Sequence, residues 1–358
     1  MSGQKKRHWL NHLSFGTLSL AASGLLALSY LSVVVDPARA WFFTLFGLLY
    51  PLVFPLTAAL FVWALLRRSR MRGLLLLVLL PSLFFAGRYV RLFGGPRNEK
   101  KASLKVVSYN VGAFAHGPEG MDRDALADSV CRWLLRQDAD ILCLQEFHLP
   151  GKQNIDKWFR QHFPDYQTSY YLRSGWNGHN GNVILSRRPL GDKDKLNFEK
   201  SSNMAVWADV RLDSCTVRIY NCHFESYNIS LSGLVKRETP VEETERKMRR
   251  SIAERPKQVA EVLRGMDAAP VRSIALGDFN DTPLSYTYFR LLRGRKDSFA
   301  RAGKAFGATY RALWPLLRID YILYPPELEA VSCEIPHVKY SDHYPVIATY
   351  YETGRNLR

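Results

Sequence analysis

The stretch Val271-Arg272-Ser273-Ile274-Ala275-Leu276-Gly277-Asp278-Phe279-Asn280 joins a short apolar run directly to compact polar side chains. This pattern is typical of a buried strand whose end presents chemistry-bearing residues. A second stretch, Ser341-Asp342-His343-Tyr344-Pro345, precedes the apolar run 346–348 in the same way. The two stretches supply an acid, a base and an amide donor, a set that suits metal-assisted attack on phosphorus.

Apolar runs of this kind recur from residue 104 to residue 350, with helical patterns between them. Helical spacing is predicted for 124–136 and for the highly charged segment 240–263. The predicted strands are 104–109, 141–144, 182–185, 206–212, 217–222, 274–276, 319–324 and 346–350. Strands interleaved with helices predict one α/β domain, which we place at 102–352.

The first 101 residues have a different composition. The runs 13–35 and 41–66 contain no Asp, Glu, Lys, Arg or His, and the run 73–87 is shorter. About twenty apolar residues span the core of a bilayer, so the first two runs are long enough to cross it. We therefore predict a membrane anchor over 1–93 with three transmembrane helices, at 13–35, 41–66 and 73–91, followed by a linker at 94–101.

Two other interpretations of the N-terminal region stay open. The first run could belong to a cleaved signal peptide, because basic residues at 5–7 precede it and Ala38-Arg39-Ala40 resembles a cleavage site. The apolar runs could also be buried core helices. An uncleaved anchor is favoured because the first run is longer than the apolar region of a signal peptide and further apolar runs follow it.

The positions of the basic residues predict how the anchor is oriented. Basic clusters at 5–7 and 67–72 indicate a cytoplasmic N-terminus, and three crossings then place the α/β domain on the extracytoplasmic side of the membrane. The basic residues between 88 and 101 argue for the opposite orientation. If the third segment does not cross, the domain stays in the cytoplasm.

Net charge gives little support for binding to nucleic acid. The formal charge is +16, but residues 1–101 hold 13 Lys and Arg against two acids, and the remaining residues hold 36 against 31. Most of the excess therefore flanks the apolar runs and does not mark a nucleic-acid surface. The five cysteines are odd in number and form no CxxC pair, which predicts buried thiols and neither zinc nor redox chemistry.

Polar residues follow the predicted strands at the points where the strands end. One such residue is usually a cap or a surface charge, whereas a set with one coherent chemistry predicts a site. The set comprises Asn110, Gln145, Glu146, Asn182, Asn221, His223, Asp278, Asn280, Asp320, Asp342 and His343.

The motifs that contain these residues occur in the order of a known superfamily. They are Ser108-Tyr109-Asn110, Gln145-Glu146, the run 181–186, Asn221-Cys222-His223, Gly277-Asp278-Phe279-Asn280, Arg318-Ile319-Asp320-Tyr321 and Ser341-Asp342-His343. This order resembles the endonuclease/exonuclease/phosphatase superfamily, which includes DNase I-like nucleases, inositol polyphosphate 5-phosphatases and neutral sphingomyelinases. The resemblance extends from Leu104 to Tyr350, and it is specific for the superfamily but not for the substrate.

The resemblance implies a fold and a set of roles. The fold is a four-layer α/β sandwich, in which helices flank two facing β-sheets. The expected cofactor is Mg²⁺, with Mn²⁺ as a substitute. The implied metal-site residues are Asn110, Glu146 and Asp342; the implied catalytic residues are His223, Asp278, Asn280, Asp320 and His343; the implied substrate-binding residues are Asn182 and Asn221.

Within this set, Glu146 is implied to be the main metal ligand and Asp320 to orient the imidazole of His343. The assignment of general acid and general base stays open, because it differs between branches of the superfamily. Water is expected to attack a phosphodiester or phosphomonoester in line. The expected partners are this substrate, which can be a lipid headgroup, a nucleic acid or a small phosphoester, and the membrane; no protein partner is implied.

Two alternatives to this function stay open. One is a membrane-tethered nuclease that acts on DNA or RNA, and the other is a catalytically silent binding module on the same scaffold. The segment 226–250 mixes both signs of charge, which indicates either a self-paired solvated helix or a lid that contacts the site or anionic headgroups. Arg255 and Gln258, which follow it, begin a helix that packs near the active face in members of the superfamily, but we expect a solvated helix as the simpler account.

Overall fold

We describe the fold from a computed structural model of the chain. It describes residues 2–92, 94, 102–151, 153–175, 178–199, 201–227 and 241–353. Of the expected linker at 94–101, all residues except Gly94 lie outside this described part. The five cysteines are free thiols, and Cys131, Cys143, Cys222 and Cys333 are buried.

Two long apolar helices come first in the chain. Helix α1 comprises Ser2–Leu31 and helix α2 comprises Phe42–Leu66, with Pro51 and Pro55 inside it. By length and composition, the segments Ser14–Leu31 and Phe42–Leu66 are candidate membrane spans. They correspond to the first two predicted transmembrane helices, and their crossing of a membrane stays a prediction.

The third apolar segment differs from the expected continuous helix over 73–91. It is divided into α3 (Arg72–Leu79), α4 (Ser82–Phe85) and a 3₁₀ turn at Ala86–Arg88. Pro81 lies at the break, where it has no N–H to continue the helical hydrogen bonds. The segment nevertheless runs alongside α1 and α2, because Leu75 packs in a cluster with them and the hydroxyl of Tyr30 donates to the carbonyl of Val78 at 2.8 Å.

The remaining elements belong to the α/β domain, apart from a two-stranded ribbon that joins it to the third apolar segment. The helices are α5 (Arg123–Arg136), α6 (Ile155–His162), α7 (Val241–Ala268), α8 (Tyr286–Leu292) and α9 (Ser298–Ala302). The strands are β1 (Val90–Arg91), β2 (Leu104–Asn110), β3 (Ile141–Leu149), β4 (Gln167–Gly175), β5 (Gly178–Ser186), β6 (Leu190–Asn197), β7 (Met204–Arg211), β8 (Thr216–His223), β9 (Arg272–Asp278), β10 (Lys296–Asp297), β11 (Ala305–Phe306), β12 (Asp320–Tyr324), β13 (Leu328–Glu334) and β14 (Val346–Glu352).

The larger strands form two six-stranded mixed sheets. Their orders are β13-β14-β2-β3-β5-β4 and β10-β12-β9-β8-β7-β6. Each sheet has a parallel pair near its centre, β2 with β3 and β8 with β9, and the other described pairings are antiparallel. The short strands β1 and β11 form the separate antiparallel ribbon.

Successive residues of each strand face opposite sides of its sheet, and each side packs against a different layer of the sandwich. In β2, Val106 faces the opposite sheet and packs near Ile274 and Leu276 of β9, while Val107 faces outward and packs near Val130 of α5. Strands that are covered on both faces have near-continuous apolar sequences, which explains the runs seen in the sequence. On the outer face of the second sheet, α7 and α8 provide the corresponding cover. The predicted four-layer α/β sandwich is therefore confirmed.

Candidate active site

Neighbouring strands bring the predicted site residues to one edge of the sandwich. His223 lies opposite Asp278 in the β8–β9 pair, and Asp320 lies opposite Asp278 in the β9–β12 pair. In the other sheet, Asn110 lies opposite Gln145 at the ends of β2 and β3. The Nδ2 atom of Asn110 donates to Oδ2 of Asp278 at 2.9 Å and so joins the two sheets.

An irregularity in β3 directs Glu146 into this edge. The register of β3 against β5 shifts between Leu144 and Phe147, and Glu146 has a φ of 49°. A left-handed backbone is uncommon for glutamate, and bulges of this kind often re-aim a side chain beside an active site. The Oε1 atom of Glu146 accepts a hydrogen bond from Nδ2 of Asn110 at 3.0 Å, and the side chain keeps 39% of its surface exposed.

Asp278, Asp320 and His343 form a buried chain of charged groups. The Nδ1 atom of His343 lies 2.9 Å from Oδ2 of Asp320, and its Nε2 atom lies 3.7 Å from Oδ2 of Asp278. Burial opposes a charge on the imidazole, but Asp320 and Asp278 outweigh burial and raise the pKa of His343 well above its usual value. Burial and then the charge of Asp320 raise the pKa of Asp278. The arrangement therefore favours a protonated His343 between two carboxyl groups.

His223 and Asn280 complete the same edge. The Nε2 atom of His223 lies 3.5 Å from Oε1 of Glu146 and 3.8 Å from Oδ2 of Asp278. Asn280 has a φ of 50°, and its backbone N–H donates to Oδ1 of Asp278 at 2.8 Å. One N–H of its amide donates to the carbonyl of Phe224 at 2.9 Å, and an amide nitrogen carries a second donor.

Two groups of candidate metal ligands lie within this cluster. Glu146, His223 and Asp278 form one group, and Asp278, Asp320 and His343 form the other, each with its ligand atoms within 4.8 Å of one another. In the second group, Asp320 and His343 already bond to each other. The first group offers carboxylate oxygens with a partly exposed Glu146, and such oxygens suit a hard divalent cation. The residues therefore fit the expected kind of ion.

Asn110 does not present its side-chain oxygen to this group. Its Oδ1 atom accepts from the backbone N–H of Gly112 at 3.0 Å, while its Nδ2 atom faces Glu146 and Asp278. In this structure the side chain of Asn110 donates hydrogen bonds to both carboxylates, and its role as a metal ligand stays a prediction.

Asp342 also differs from its predicted place in the metal site. Its Oδ1 atom accepts from the hydroxyl of Ser341 at 3.2 Å, and its Oδ2 atom lies 3.8 Å from Nε2 of His116. Its carboxylate belongs to neither ligand group among the described residues. The structure therefore places Asp342 at the rim of the site, on the side of His116.

The two asparagines that were predicted to bind substrate have different surroundings. Asn182 lines a cleft together with Glu146 and His223, and its Nδ2 atom donates to the carbonyls of Met204 and Asn221, each at 3.1 Å. Asn182 thus lies on this cleft, and its contact with substrate stays a prediction.

Asn221, in contrast, is fully buried between the sheets. Its Nδ2 atom donates to the carbonyls of Leu144 and Val183, each at 2.9 Å, and its Oδ1 atom accepts from Nε2 of Gln145 at 2.6 Å. The amide of Asn221 therefore joins the two sheets, and its contact with substrate stays a prediction.

Sequence reasoning also missed a buried ion pair beside the site. Arg255 is almost completely buried, although its helix was expected to be solvated, and its Nη1 atom lies 3.1 Å from Oδ2 of Asp281. Its guanidinium lies over the ring of Tyr227 at 4.4 Å, and the neighbouring Gln258 accepts from the backbone N–H of Glu225 at 2.8 Å.

The sequence did contain a signal for this pair. Arg255 and Gln258 are three residues apart and therefore share one face of α7. Asp281 directly follows Asn280. The predicted lid at 226–250 falls partly outside the described residues, which resume at 241.

Comparisons with known proteins agree with this geometry. A family model described as "Endonuclease/Exonuclease/phosphatase family" matches residues 107–343. A second model, described as a domain of unknown function (DUF8431), matches residues 11–89. A comparison with curated protein sequences gives no match.

Solved structures share the fold at low sequence identity. An endonuclease/exonuclease/phosphatase from Beutenbergia cavernae DSM 12333 is 18% identical, with 71% of this chain and 72% of that chain covered and a TM-score of 0.53. The protein of the same description from Bacteroides vulgatus is 17% identical, with 70% and 100% covered and a TM-score of 0.52. The human Nocturnin catalytic domain with bound sulfate anion is 18% identical, with 70% and 94% covered and a TM-score of 0.51.

The family model covers well over half of the chain and includes the described cluster from Asn110 to His343. The chain therefore belongs to the endonuclease/exonuclease/phosphatase family, whose members are metal-dependent phosphoester hydrolases.

Proposed function

We propose that this protein is a membrane-anchored, Mg²⁺-dependent phosphoesterase that hydrolyses a phosphodiester or phosphomonoester by in-line attack of water. The observation that carries the proposal is the convergence of Glu146, His223 and Asp278 with the Asp320–His343 pair at one edge of the sandwich. Such a cluster combines oxygen ligands for a hard cation with groups that hold and transfer protons.

Glu146 and Asp278 would hold the cation, and Asn110 would keep both carboxylates in place through its two hydrogen bonds. A divalent cation supplies charge neutralisation on the phosphoryl oxygens when it is bound. The environment of Asp278 supports its role as a ligand of the cation. Burial and the neighbouring Asp320 raise the pKa of Asp278, and a bound cation would lower this pKa again.

The remaining residues would orient the substrate and manage protons. His343 is held by Asp320 through Nδ1, so its Nε2–H is available to a phosphoryl oxygen or to Asp278. Asp278 would orient the attacking water and accept its proton, since its carboxylate lies beside both histidines at the same edge. His223 and the second amide N–H of Asn280 would bind the phosphoryl group from the same edge.

A membrane phosphodiester is the preferred substrate class. The two candidate membrane spans would keep the site close to a lipid surface, where such esters are concentrated. The near balance of charge in 102–358 gives no comparable reason to prefer DNA or RNA. The sulfate in the Nocturnin structure is a tetrahedral anion similar to phosphate, which supports a phosphate ester in general and no particular one.

The third apolar segment and the basic clusters support an extracytoplasmic α/β domain. Basic residues at 67–72 connect α2 to α3, and the broken third segment returns alongside the first two helices. A reporter protein fused after Arg358 tests this orientation. Activity of a reporter that functions only in the cytoplasm would contradict it.

The test of the function uses the full-length chain in detergent. We expect it to hydrolyse bis-p-nitrophenyl phosphate with Mg²⁺ or Mn²⁺, to lose this activity in EDTA, and to regain it when the ion is added back. A panel of sphingomyelin, inositol phosphates and plasmid DNA then separates the lipid substrate from the nuclease alternative. No hydrolysis of any ester by the metal-loaded protein would contradict the proposal and favour a silent binding module.

A further inference from the structure

We propose that the N-terminal helices help to position the active site, because they hold the segment 281–285, which directly follows Asn280. This inference rests on the proposed function for its kinetic consequences, but its structural content can be measured separately. The contacts centre on Leu284, which is fully buried although it belongs to a loop of the α/β domain.

Both backbone groups of Leu284 bond to the anchor. Its N–H donates to the hydroxyl of Tyr89 at 3.2 Å, and its carbonyl accepts from the hydroxyl of Ser32 at 2.7 Å, a donor shared with the carbonyl of Ser29. Buried backbone groups need such partners, and leaving one of them unpaired costs free energy. The anchor therefore satisfies the hydrogen bonds of a loop residue more than 190 positions away from either of its partners.

The Leu284 side chain is packed by the same helices. It lies in one apolar cluster with Leu26 of α1, Tyr50 and Val53 of α2, and Tyr89. Side chains from three separate segments of the anchor thus surround a single loop residue, and burial of its apolar surface stabilises this contact.

A glycine in α2 makes this close approach possible. A Cβ atom added at Gly47 would lie 2.4 Å from the carbonyl oxygen of Leu284 and 2.5 Å from Oγ of Ser32. Real Cβ atoms do not come this close to a backbone oxygen, so any larger residue at 47 must separate α2 from the loop.

The other end of the segment is fixed inside the α/β domain. Asp281 is paired with the buried Arg255, and its carbonyl accepts from the hydroxyl of Tyr321 at 2.8 Å. The segment is therefore held at Asp281 by the catalytic domain and at Leu284 by the anchor. Asn280, whose backbone N–H bonds to Asp278, precedes Asp281 directly. Loss of the contacts at Leu284 would leave this segment held at Asp281 alone, so we expect it to loosen beside Asn280.

A second set of contacts joins the anchor to the loop that precedes Asp320. The carbonyl of Tyr89 accepts from the backbone N–H of Gly307 at 2.8 Å, and Arg318 donates to the carbonyl of Arg88 at 2.9 Å. In the same loop, the hydroxyl of Thr309 accepts from the backbone N–H of Asp320 at 3.1 Å. The anchor consequently contacts both the loop that follows Asp278 and the loop that precedes Asp320.

The test compares Gly47→Ala with Gly24→Ala in the full-length chain in lipid nanodiscs. Gly24 lies in α1, and a Cβ atom added there meets nothing within 4 Å, so this variant controls for any glycine substitution in the anchor. Amide hydrogen exchange across 279–285 and kcat with bis-p-nitrophenyl phosphate are the two readouts. We expect exchange to accelerate and kcat to fall at least about tenfold in Gly47→Ala alone, because small displacements of catalytic groups have large kinetic effects.

Tyr89→Phe provides a milder second variant in case Gly47→Ala fails to fold. It keeps the packed ring and removes only the hydroxyl that accepts from Leu284. We expect faster exchange of the Leu284 amide and a lower kcat, because the segment beside Asn280 then loses one of its two backbone contacts with the anchor.

Two results would overturn the inference. One is wild-type exchange across 279–285 in both Gly47→Ala and Tyr89→Phe, and the other is faster exchange with wild-type kcat. If the wild-type chain hydrolyses no ester, the proposed function fails, but the exchange measurement still decides whether the anchor holds the segment.

Discussion

The Nδ1 atom of His343 lies 2.9 Å from Oδ2 of Asp320, and the other ring nitrogen of His343 faces Asp278. This relationship links the ends of two neighbouring strands to the loop before β14. A carboxylate on Nδ1 fixes both the tautomer and the orientation of the ring. The site therefore has a histidine whose proton is directed toward the group proposed to act on water.

Asp320→Asn tests this relationship. The amide has nearly the same size as the carboxylate but cannot stabilise a charged imidazole, so we expect kcat to fall about a hundredfold or more. Asp194→Asn, on the exposed edge strand β6, is the matched control and should leave kcat unchanged. Steady-state kinetics of both variants with bis-p-nitrophenyl phosphate decide the point, and equal kcat values for them would refute the role of Asp320.

Asn221→Ala distinguishes a role of Asn221 between the two sheets from the predicted contact with substrate. The variant removes the side-chain donor to the carbonyls of Leu144 and Val183 and the shortest of the hydrogen bonds made by the amide of Gln145. We expect the free energy of unfolding to fall by about 2–4 kcal/mol, with KM unchanged for the folded fraction. Thermal or chemical unfolding and KM measurements check this expectation. A raised KM without loss of stability would contradict the role between the sheets and support the predicted contact of Asn221 with substrate.

Arg255→Met tests whether the buried ion pair positions the site. Removing the guanidinium leaves Asp281 buried without its cation, so we expect both a lower melting temperature and a kcat reduced about tenfold. Lys257→Met is the control, since Lys257 is exposed on the same helix and pairs with Glu254, one helical turn away. Comparable kinetics for the two variants would show that Arg255 has no positioning role.

The pair of Arg318 and Asp297 predicts a pH dependence of stability. Burial alone would raise the pKa of Asp297, but the charge and hydrogen bonds of Arg318 outweigh burial and lower it. A pKa that is lower in the folded state than in the unfolded state stabilises the fold at pH values above the unfolded pKa, about 3.9. This contribution should be lost as the pH falls through the folded pKa.

Asp297→Asn provides the measurement for this pair. At pH 7 we expect it to lower the free energy of unfolding by about 3–5 kcal/mol, because Arg318 is then buried without its carboxylate. Melting temperatures of the full-length chain between pH 7 and about pH 2 should differ by a constant amount above the unfolded pKa and approach each other as the pH falls below it. A constant difference across that range would contradict the assigned pKa shift.

The central strands and several site residues could be predicted because their signals are local. The run 271–280 carries both a buried strand and the polar turn that follows it, and the same holds for 341–348. In contrast, β4, β6 and β13 were not predicted. Strand β6 lies at a sheet edge and its residues are mostly exposed, so its alternating charges resemble a loop.

The rest depended on contacts between distant segments, which periodicity does not encode. Asn221 has the composition and position of a site residue, yet its amide is used between the two sheets. Arg255 has the composition of a solvated helix, yet it is buried against Asp281. The contact of Leu284 with Ser32 and Tyr89 likewise joins residues that no local pattern relates.

The most direct test of the central claim is a Mn²⁺ titration of kcat for the full-length chain and for Glu146→Gln, with Glu119→Gln as an exposed control. The amide keeps the shape of Glu146 but loses the charge that would hold the ion. We predict that Glu146→Gln needs at least about tenfold more Mn²⁺ for half-maximal activity or has no activity, while Glu119→Gln matches the wild type. Metal-independent hydrolysis, or an unchanged Mn²⁺ requirement in Glu146→Gln, would contradict a metal-dependent site at this edge of the sandwich.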